Sequence, residues 1–312
     1  MLLKTGAFNL RKFLTNSRSL QRKINEKESP LRNKSTEASD STETFTQVTL
    51  GRTQGLYDGE HKVLGVTWNV SSDQIIFSLT ELAERAKNLE PTKRNVIGLI
   101  GRFYDPLGFL APIVVRYKIF MQALCEARIT WDETIPESLM KQWNQLVTVL
   151  AEAQPISIPR CYLDGVQGEV VAYRLCGYCD ASLSAYAAVV YLWIETENGI
   201  LRKFVVAKTR VAPLKKQSIP RFELLSAVLL ARLMDTVRSS LTPELKISSH
   251  HCFTDSKVAL CWIRNVEKHR SHLFKTESPK SETCYPLSVG DTCQASIIQL
   301  TYLQEVRLRW NY

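Results

Sequence analysis

The sequence predicts an α/β fold with a mixed sheet, and three observations support this prediction. Between residues 170 and 264, apolar segments follow one another in the order three strands, helix, strand, helix. A helical periodicity precedes them at residues 92–151. Three acidic residues, Asp180, Glu223 and Asp255, stand where a strand ends or a helix begins. Residues in such positions can converge on one point in space, so these three are the first candidates for a functional site.

The N-terminal stretch is strongly basic, whereas the rest of the chain is nearly neutral. Residues 1–34 hold nine Lys/Arg against Glu26 and Glu28, so they carry +7 of the formal net charge of +9. The first 25 residues lack acids, and their composition fits a mitochondrial transit peptide. Residues 26–46 are polar and predict a disordered linker. Because the remaining 278 residues carry only +2, net charge is weak evidence for nucleic-acid binding.

A hairpin and three helices are predicted before residue 160. Residues 62–68 (KVLGVTW) predict one strand, and residues 74–79 predict its hairpin partner. Helical spacing runs from Thr92 to the turn-forming segment Asp105-Pro-Leu-Gly108. Two further helices are predicted at about 113–127 and 136–151, followed by a boundary at Pro155 and Pro159.

The second half of the chain contains the elements of the predicted sheet. Three strands are predicted at 170–178, 187–194 and 203–208, with short polar turns between them. A long helix is predicted at about 221–239, and Pro220 stands where a first helical turn tolerates proline. A strand ending at Asp255 and a helix at 256–264 follow, and beyond residue 274 the pattern dissolves.

Composition excludes a membrane protein and favours a reducing compartment. The chain is 45% hydrophobic and 23% charged, as in ordinary globular proteins. No apolar run approaches the roughly 18 residues that a membrane-spanning helix needs. Eight cysteines occur without a secretory signal, and several lie within apolar segments. We therefore expect an intracellular protein, cytoplasmic or nuclear, without a membrane partner.

The acidic trio predicts a site for divalent cations. Carboxylates a few ångströms apart raise one another's pKa, so a cluster of them stays ionised only beside cations. Mg²⁺ or Mn²⁺ is the natural partner because both prefer oxygen ligands. Two such ions can activate a water and stabilise the leaving oxygen of a phosphodiester. The alternative is that Asp180, Glu223 and Asp255 are solvated charges, which are common at the ends of strands and in first helical turns.

Two groups of motifs resemble a known family. LCGYCDAS at 175–182, IPRFELLSA at 219–227 and CFTDSK at 252–257 resemble, in order and setting, a ribonuclease H domain. The block RNVIGLIGRFYDPLGFLAPIVVR at 94–116 resembles the segment after the reverse transcriptase in BEL/Pao-type retrotransposon polyproteins, which carry the label Pao retrotransposon peptidase. TGAFNLRKFLTNS at 5–17 and KVLGVTW at 62–68 are similar to the end of that reverse transcriptase.

This resemblance implies a ribonuclease H-like domain that hydrolyses the RNA strand of RNA–DNA hybrids with two Mg²⁺ or Mn²⁺ ions. It implies that Asp180 bridges both ions, while Glu223 and Asp255 each help to hold one. The basic N-terminal stretch then resembles the interior of a polymerase domain more than a transit peptide. The implied organisation is a reverse-transcriptase remnant at 1–80, a helical connection at 81–160, a ribonuclease H-like domain at 168–270 and a divergent, poorly ordered tail at 271–312.

The sequence departs from the family pattern in three respects. It contains neither the Asp-Asp pair of a polymerase nor the Asp-Thr-Gly or Asp-Ser-Gly motif of an aspartic protease. The ribonuclease H pattern also expects a fourth acidic residue on a C-terminal helix, and Asp291 is a poor match for it. Enzyme activity, which would be that of a Mg²⁺-dependent endoribonuclease, is therefore open. The alternative is an inactive retroelement remnant that binds nucleic acid or a protein partner.

Several other residues invite a functional interpretation. Cys176 and Cys179 form a Cys-x-x-Cys pair, but residues three apart on a strand point to opposite faces. His269 and His272 with Cys284 and Cys293 are spaced too widely for a usual zinc site. Tyr178, Trp193 and Trp262 are candidates for stacking on bases, although both tryptophans lie in segments typical of a core. Four cations between the third strand and the long helix could meet phosphates: Lys208, Arg210, Lys215 and Lys216.

Overall fold

The protein is described here by a computed structural model that covers residues 14–32, 60–63, 66–215, 217–264 and 287–289. The chain divides into two compact units. The first contains residues 1–83 and 151–164, and the second contains residues 84–150 and 165–312.

Among its described residues, the first unit contains the helix α1 and a four-stranded antiparallel sheet. The helix α1 spans Arg18–Arg32. The strands lie in the order β1-β2-β3-β4, and their bounds are β1 Glu60–Val63, β2 Val66–Asn69, β3 Gln74–Phe77 and β4 Ile156–Pro159. Asp73 connects the hairpin to the residue that follows β4. Its carboxylate accepts hydrogen bonds from the Arg160 guanidinium at 2.7 and 3.0 Å and from Trp68 Nε1 of β2 at 3.0 Å.

Two predictions for this unit need correction. Residues 62–68 do not form one strand, because Val63 pairs with Val66 and the chain reverses between them. The pairing of β2 with β3 is confirmed. The helix α1 also extends to Arg32, so residues 26–32 of the predicted linker are helical, and residues 33–46 lie outside the described residues.

Four helices follow the hairpin: α2 Thr80–Lys87, α3 Lys93–Ile100, α4 Ala111–Glu126 and α5 Glu137–Glu152. The three predicted helices correspond to α3, α4 and α5. Thr92 caps α3, because its side chain accepts a bond from the Asn95 amide. α4 and α5 meet through aromatic side chains: the Phe120 and Trp143 rings lie 5.9 Å apart, and the Tyr117 hydroxyl donates to the Leu146 carbonyl at 3.0 Å.

The segment Asp105-Pro-Leu-Gly108 is an ordered loop that begins α4. The Asp105 carboxylate accepts bonds from the amides of Gly108, Phe109 and Leu110 at 2.7 to 2.9 Å. Burial raises the pKa of Asp105, and these amide bonds oppose that shift. The predicted turn is therefore ordered, and its Asp105 carboxylate accepts hydrogen bonds from the backbone amides that precede α4.

The second unit contains a mixed five-stranded sheet in the order β7-β6-β5-β8-β9. β5, β6 and β7 form an antiparallel meander, while β8 and β9 run parallel to β5. The bounds are β5 Val170–Ala181, β6 Ala185–Thr196, β7 Gly199–Val211, α6 Ile219–Leu241, β8 Ile247–Thr254, α7 Lys257–Arg264 and β9 Leu287–Val289. The predicted order of elements and the mixed α/β fold are confirmed. The strand β9 lies within the tail that was predicted to be poorly ordered.

The Asp105–Gly108 loop lies against the outer edge of this sheet. The Ala207 amide of β7 donates to the Leu107 carbonyl at 2.8 Å, and the Phe109 and Phe204 rings lie 4.3 Å apart. The helix α4 also packs on β7, and Gln122 donates to the Ala212 carbonyl at 2.8 Å. The loop thus covers part of an otherwise unpaired strand edge.

The helix α6 packs closely on one face of β5 and β6. Gly177 allows this approach, because a Cβ there would lie 2.5 Å from Leu230 Cδ1 and 2.8 Å from Met234 Cε. Both of those side chains are fully buried. Within the described part of the chain, no helix has the length and apolar character needed to cross a membrane.

Candidate metal centre

The pairing of β5 with β8 places Asp180 beside Asp255. The two strands are parallel neighbours, and Cys179 is in register with Thr254. Asp180 directly follows Cys179, and Asp255 directly follows Thr254, so both lie at the carboxyl ends of these two strands, at the same edge of the sheet. Adjacent strands lie about 4.8 Å apart, which brings the two carboxylates within reach of one ion.

The packing of α6 adds Glu223 to the same edge. Glu223 precedes Leu230 by seven residues, which is about two turns and ~10 Å along the helix. Asp180 follows Gly177 by three residues, which is about 10 Å along the strand. Since Leu230 lies directly over Gly177, the matching lengths bring Glu223 to the level of Asp180 along the strand. A contact at the centre of the sheet therefore sets the position of a side chain at its edge.

The structure brings together all three predicted acidic residues. One carboxylate oxygen from each of Asp180, Glu223 and Asp255 lies within 4.8 Å of those of the other two. Asp255 is exposed, while Asp180 and Glu223 are half-buried. The Ala181 amide donates to Asp180 Oδ1 at 2.7 Å. Glu223 Oε2 is buried, and none of the described residues donates a hydrogen bond to it.

The environment of Glu223 disfavours its charge. Burial above all, and then the negative charges of Asp255 and Asp180, raise the pKa of Glu223 from its usual 4.5 to about 7. A carboxylate with this pKa is half protonated near neutral pH. A cation between the three groups would remove the repulsion and supply the partner that Glu223 Oε2 lacks.

The donor set suits a hard divalent cation. All three groups offer carboxylate oxygens, which Mg²⁺ and Mn²⁺ prefer over nitrogen or sulfur ligands. The exposed position of Asp255 leaves the cluster open to solvent on one side, so water or a phosphate oxygen can complete the coordination. The residues present therefore fit the predicted ion, and the unbonded Glu223 Oε2 is the observation that supports this fit most directly.

Replacing Glu223 with glutamine should stabilise the metal-free protein at alkaline pH. The folded-state pKa lies above the unfolded value, so the stability linked to protonated Glu223 is present below about pH 4.5 and is lost as pH rises through about 7. Glutamine keeps the shape without the charge. In EDTA, we expect the melting temperature of Glu223→Gln to exceed that of the wild type by a few degrees at about pH 8, with the gap closing toward pH 5.

Glu197→Gln is the matched control, because Glu197 is exposed in the β6–β7 turn. It should leave the melting temperature unchanged at both pH values. Addition of Mg²⁺ should raise the melting temperature of the wild type more than that of Glu223→Gln, since ligand binding to the folded state stabilises it. An equal melting temperature for wild type and Glu223→Gln at pH 8 would contradict the raised pKa.

The four predicted phosphate-binding cations differ in position. Lys208 and Arg210 are exposed near the end of β7, and Lys215 is exposed in the following loop. Lys216 lies outside the described residues. Sequence reasoning did not single out Tyr186, whose ring lies 6.4 Å from that of Phe222 and nearly parallel to it. The sequence did contain a signal for an aromatic contact beside the acidic cluster, because Phe222 directly precedes Glu223.

The Cys176–Cys179 pair is a structural feature of the strand. Both cysteines are free and buried. Burial raises the pKa of each thiol to about 12, so both are protonated at neutral pH and are poor metal ligands. The alternative zinc set of His269, His272, Cys284 and Cys293 lies outside the described residues, as does Asp291.

The aromatic candidates do not share one environment. Trp262 was predicted to lie in the core, but it is 45% exposed, because the short helix α7 buries Ala259 and Leu260 on its other face. Trp193 is half-buried, and the Arg202 guanidinium lies 4.9 Å from its ring centre. The Tyr178 ring stacks on that of Phe253 at 5.1 Å, and burial raises the pKa of its hydroxyl.

Comparisons with known proteins agree with the motifs. Residues 92–256 match the family described as Pao retrotransposon-like RNaseH-like domain. No curated protein matches the chain. Two solved structures of foamy viral protease–reverse transcriptase in complex with double-stranded DNA, one of them designated dRH, are similar at 13% identity and a TM-score of 0.40.

These two similarities cover 80% of this chain but only 37% and 44% of the viral chains. A TM-score of 0.40 is too low to support an argument, so the family match supports the assignment. It spans more than half of the sequence and includes the predicted block at 94–116 together with all three acidic residues. The resemblance to a BEL/Pao-type ribonuclease H-like domain is confirmed, and the chain belongs to the Pao retrotransposon-like RNaseH-like domain family.

Proposed function

We propose that this protein is part of a longer retrotransposon polyprotein and hydrolyses the RNA strand of RNA–DNA hybrids. The observation that carries the proposal is the convergence of Asp180, Glu223 and Asp255, whose oxygens lie within 4.8 Å of one another at one sheet edge. The family match supports a ribonuclease H-like origin for this arrangement. Its partner would be the reverse-transcriptase portion of that polyprotein.

Each acidic residue has a role in this proposal. Asp180 would bridge two Mg²⁺ or Mn²⁺ ions, while Glu223 and Asp255 would each help to hold one. The Ala181 amide orients Asp180 by its bond to Oδ1. The ions supply activation of a water and charge stabilisation at the leaving oxygen. Glu223 has to lose its proton before it can bind a cation, so the raised pKa makes loading favourable above neutral pH.

The proposed substrate follows from the match to the ribonuclease H-like family. A hybrid would be recognised by the shape of its backbone and by its 2′-hydroxyls, and its sequence would not matter. We propose the same domain organisation as the motifs imply, with a reverse-transcriptase remnant at 1–80, a connection at 81–160, the ribonuclease H-like domain at 168–270 and a divergent tail at 271–312.

A second candidate function is an inactive remnant that binds nucleic acid or a partner protein. One observation favours it: among the described residues, the acidic cluster has three members, where the ribonuclease H pattern expects four. An inactive protein could keep the fold while lacking the ligand that completes the second ion site.

The test is cleavage of a labelled RNA–DNA hybrid by the purified full chain. We expect RNA fragments in Mg²⁺ or Mn²⁺, no cleavage in EDTA, and no cleavage of the DNA strand or of double-stranded DNA. A titration of the metal followed by melting temperature reports binding separately from catalysis. Metal binding without cleavage of the hybrid would favour the inactive remnant, and absence of both would remove the metal centre as well.

A further inference from the structure

Three polar side chains are buried beside the acidic cluster, where α6 meets β5 and β8. Gly177 faces α6, and side chains alternate along a strand, so Cys179 also faces α6. Thr254 of β8 is in register with Cys179 and shares this face. Ser226 lies about one helical turn before Leu230, the residue packed over Gly177. Cys179, Ser226 and Thr254 are at most 4% exposed, and we call them the polar layer.

Hydrogen bonding connects the polar layer across the three elements. The Ser226 and Thr254 hydroxyls lie within hydrogen-bonding reach of the Cys179 thiol. Cys179 Sγ also lies 3.6 Å from the Phe253 carbonyl oxygen of β8, to which it donates. The Ser226 hydroxyl donates to the Glu223 carbonyl at 2.7 Å. Directional contacts therefore join β5, β8 and α6 at one level of the sheet.

The polar layer lies directly behind the acidic cluster. In β5 and β8 the acidic residue follows the buried polar one, as Asp180 follows Cys179. In α6 the hydroxyl of Ser226 holds the backbone of Glu223 itself. Ser226 is the one polar member among the nine buried residues of this helix. Apolar side chains can slide against each other, whereas a hydrogen bond is weak outside a narrow range of distance and angle. A buried network of such bonds therefore restricts the spacing of the three segments that carry the carboxylates.

The spacing of the carboxylates matters more to Mg²⁺ than to Ca²⁺. Mg²⁺ requires nearly ideal octahedral geometry at about 2.0–2.1 Å, whereas Ca²⁺ accepts roughly six to eight oxygens at about 2.3–2.6 Å in flexible arrangements. A loss of positioning therefore weakens the binding of Mg²⁺ more than the binding of Ca²⁺. Groups that orient metal ligands typically contribute about 10–100-fold to metal affinity.

We propose that Cys179, Ser226 and Thr254 are positioning residues that set the preference of the acidic cluster for Mg²⁺ over Ca²⁺. This inference rests on the proposed function, because it takes the acidic cluster as a metal centre. The polar layer acts through the carboxylates and does not bind the ion, since its side chains are buried between α6 and the sheet. Metal specificity then depends on hydrogen bonds between β5, α6 and β8 as well as on the ligands.

The test compares the affinities for Mg²⁺ and Ca²⁺ within each variant. Metal-free full-length protein is titrated with each ion separately, and the rise in melting temperature gives the two dissociation constants. Removing one hydroxyl, by Ser226→Ala or Thr254→Val, should weaken Mg²⁺ binding on the order of tenfold and Ca²⁺ binding much less. Thr254→Ser keeps the hydroxyl and should keep the wild-type ratio of the two constants. A loss of stability that affects both titrations equally cancels in this ratio.

Two substitutions near the other end of α6 are matched controls. The exposed Ser240 hydroxyl donates to the Thr236 carbonyl at 2.8 Å, so Ser240→Ala removes a similar bond within the helix. Val237 is buried on the same helix, so Val237→Ala should lower the melting temperature by a few degrees. Both controls should leave the ratio of the Mg²⁺ and Ca²⁺ dissociation constants unchanged.

The outcomes separate this proposal from the proposed function. An unchanged ratio or an equal loss of both ions in Ser226→Ala and Thr254→Val would overturn the polar layer and leave the metal centre in place. The same change of ratio in Val237→Ala would also overturn it, because the ratio would then follow stability alone. Absence of Mg²⁺ binding by the wild type would overturn both proposals. A changed ratio in a protein that does not cleave the hybrid would support the polar layer and remove the enzyme.

Discussion

Replacing Gly108 with alanine is expected to destabilise the second unit by about 3–5 kcal/mol, enough to lower the melting temperature by ~10 °C or to prevent folding. Gly108 has a φ of +84°, a conformation that costs a residue with a Cβ about 1–2 kcal/mol. A Cβ there would also lie 2.1 Å from the Ala207 carbonyl oxygen and 2.8 Å from the Ala207 carbonyl carbon. Both atoms belong to the backbone of β7 and cannot turn away.

The chain offers a matched control in Gly165, which has a φ of +78° but nothing within 4 Å of the position of its Cβ. Gly165→Ala keeps the conformational cost and removes the clash, so its effect should be about 1–2 kcal/mol. Thermal unfolding followed by circular dichroism measures both variants. Equal losses for Gly108→Ala and Gly165→Ala would mean that the loop does not lie against β7 as described.

Replacing Asp180 with asparagine is expected to reduce Mg²⁺-dependent cleavage of a hybrid by at least ~10³-fold. In the proposed function Asp180 would hold both ions, and its amide analogue lacks the charge that this role requires. Metal ions contribute several kcal/mol to such reactions, and each 1.36 kcal/mol is a factor of ten in rate. The stabilisation of the folded protein by Mg²⁺ should fall with the rate, since both depend on the same ligands.

Asp235→Asn is the control for this substitution. Asp235 lies on α6 twelve residues after Glu223, which is about 18 Å along the helix, and pairs with Arg238. Its loss should leave cleavage and the Mg²⁺ effect unchanged. Cleavage that survives Asp180→Asn would show that the activity comes from another site or from a contaminating nuclease, because no other described cluster of acidic, histidine or cysteine side chains fits a metal.

The order of secondary structure could be predicted because each element has its own periodicity. The alternation of β5, β6 and β7 and the apolar face of α6 are local patterns, and the structure follows them. The same reasoning failed at residues 62–68, where Val63 and Val66 belong to two antiparallel strands although no polar residue stands between them. It also failed at Trp262, because helical spacing alone does not say which face of an eight-residue helix meets the core.

The candidate site was predictable in its residues but not in its properties. Asp180, Glu223 and Asp255 stand at element ends, and element ends are visible in sequence. That α6 lies over β5 depends on a glycine at 177 opposite Leu230, a contact between residues 53 positions apart. The raised pKa of Glu223 depends on burial and on two charges from other elements, so no local pattern could indicate it.

The sequence by itself determined the family, the order of helices and strands, and the identity of the three acidic residues, because each of these depends on local periodicity or on a short motif. Only the tertiary structure decided that their oxygens come within 4.8 Å of one another and that Glu223 Oε2 is buried. The physical reason is the same in each case. The distances between side chains and the burial of each side chain are set by strand register and by helix packing, and both bring together residues that are far apart in the chain.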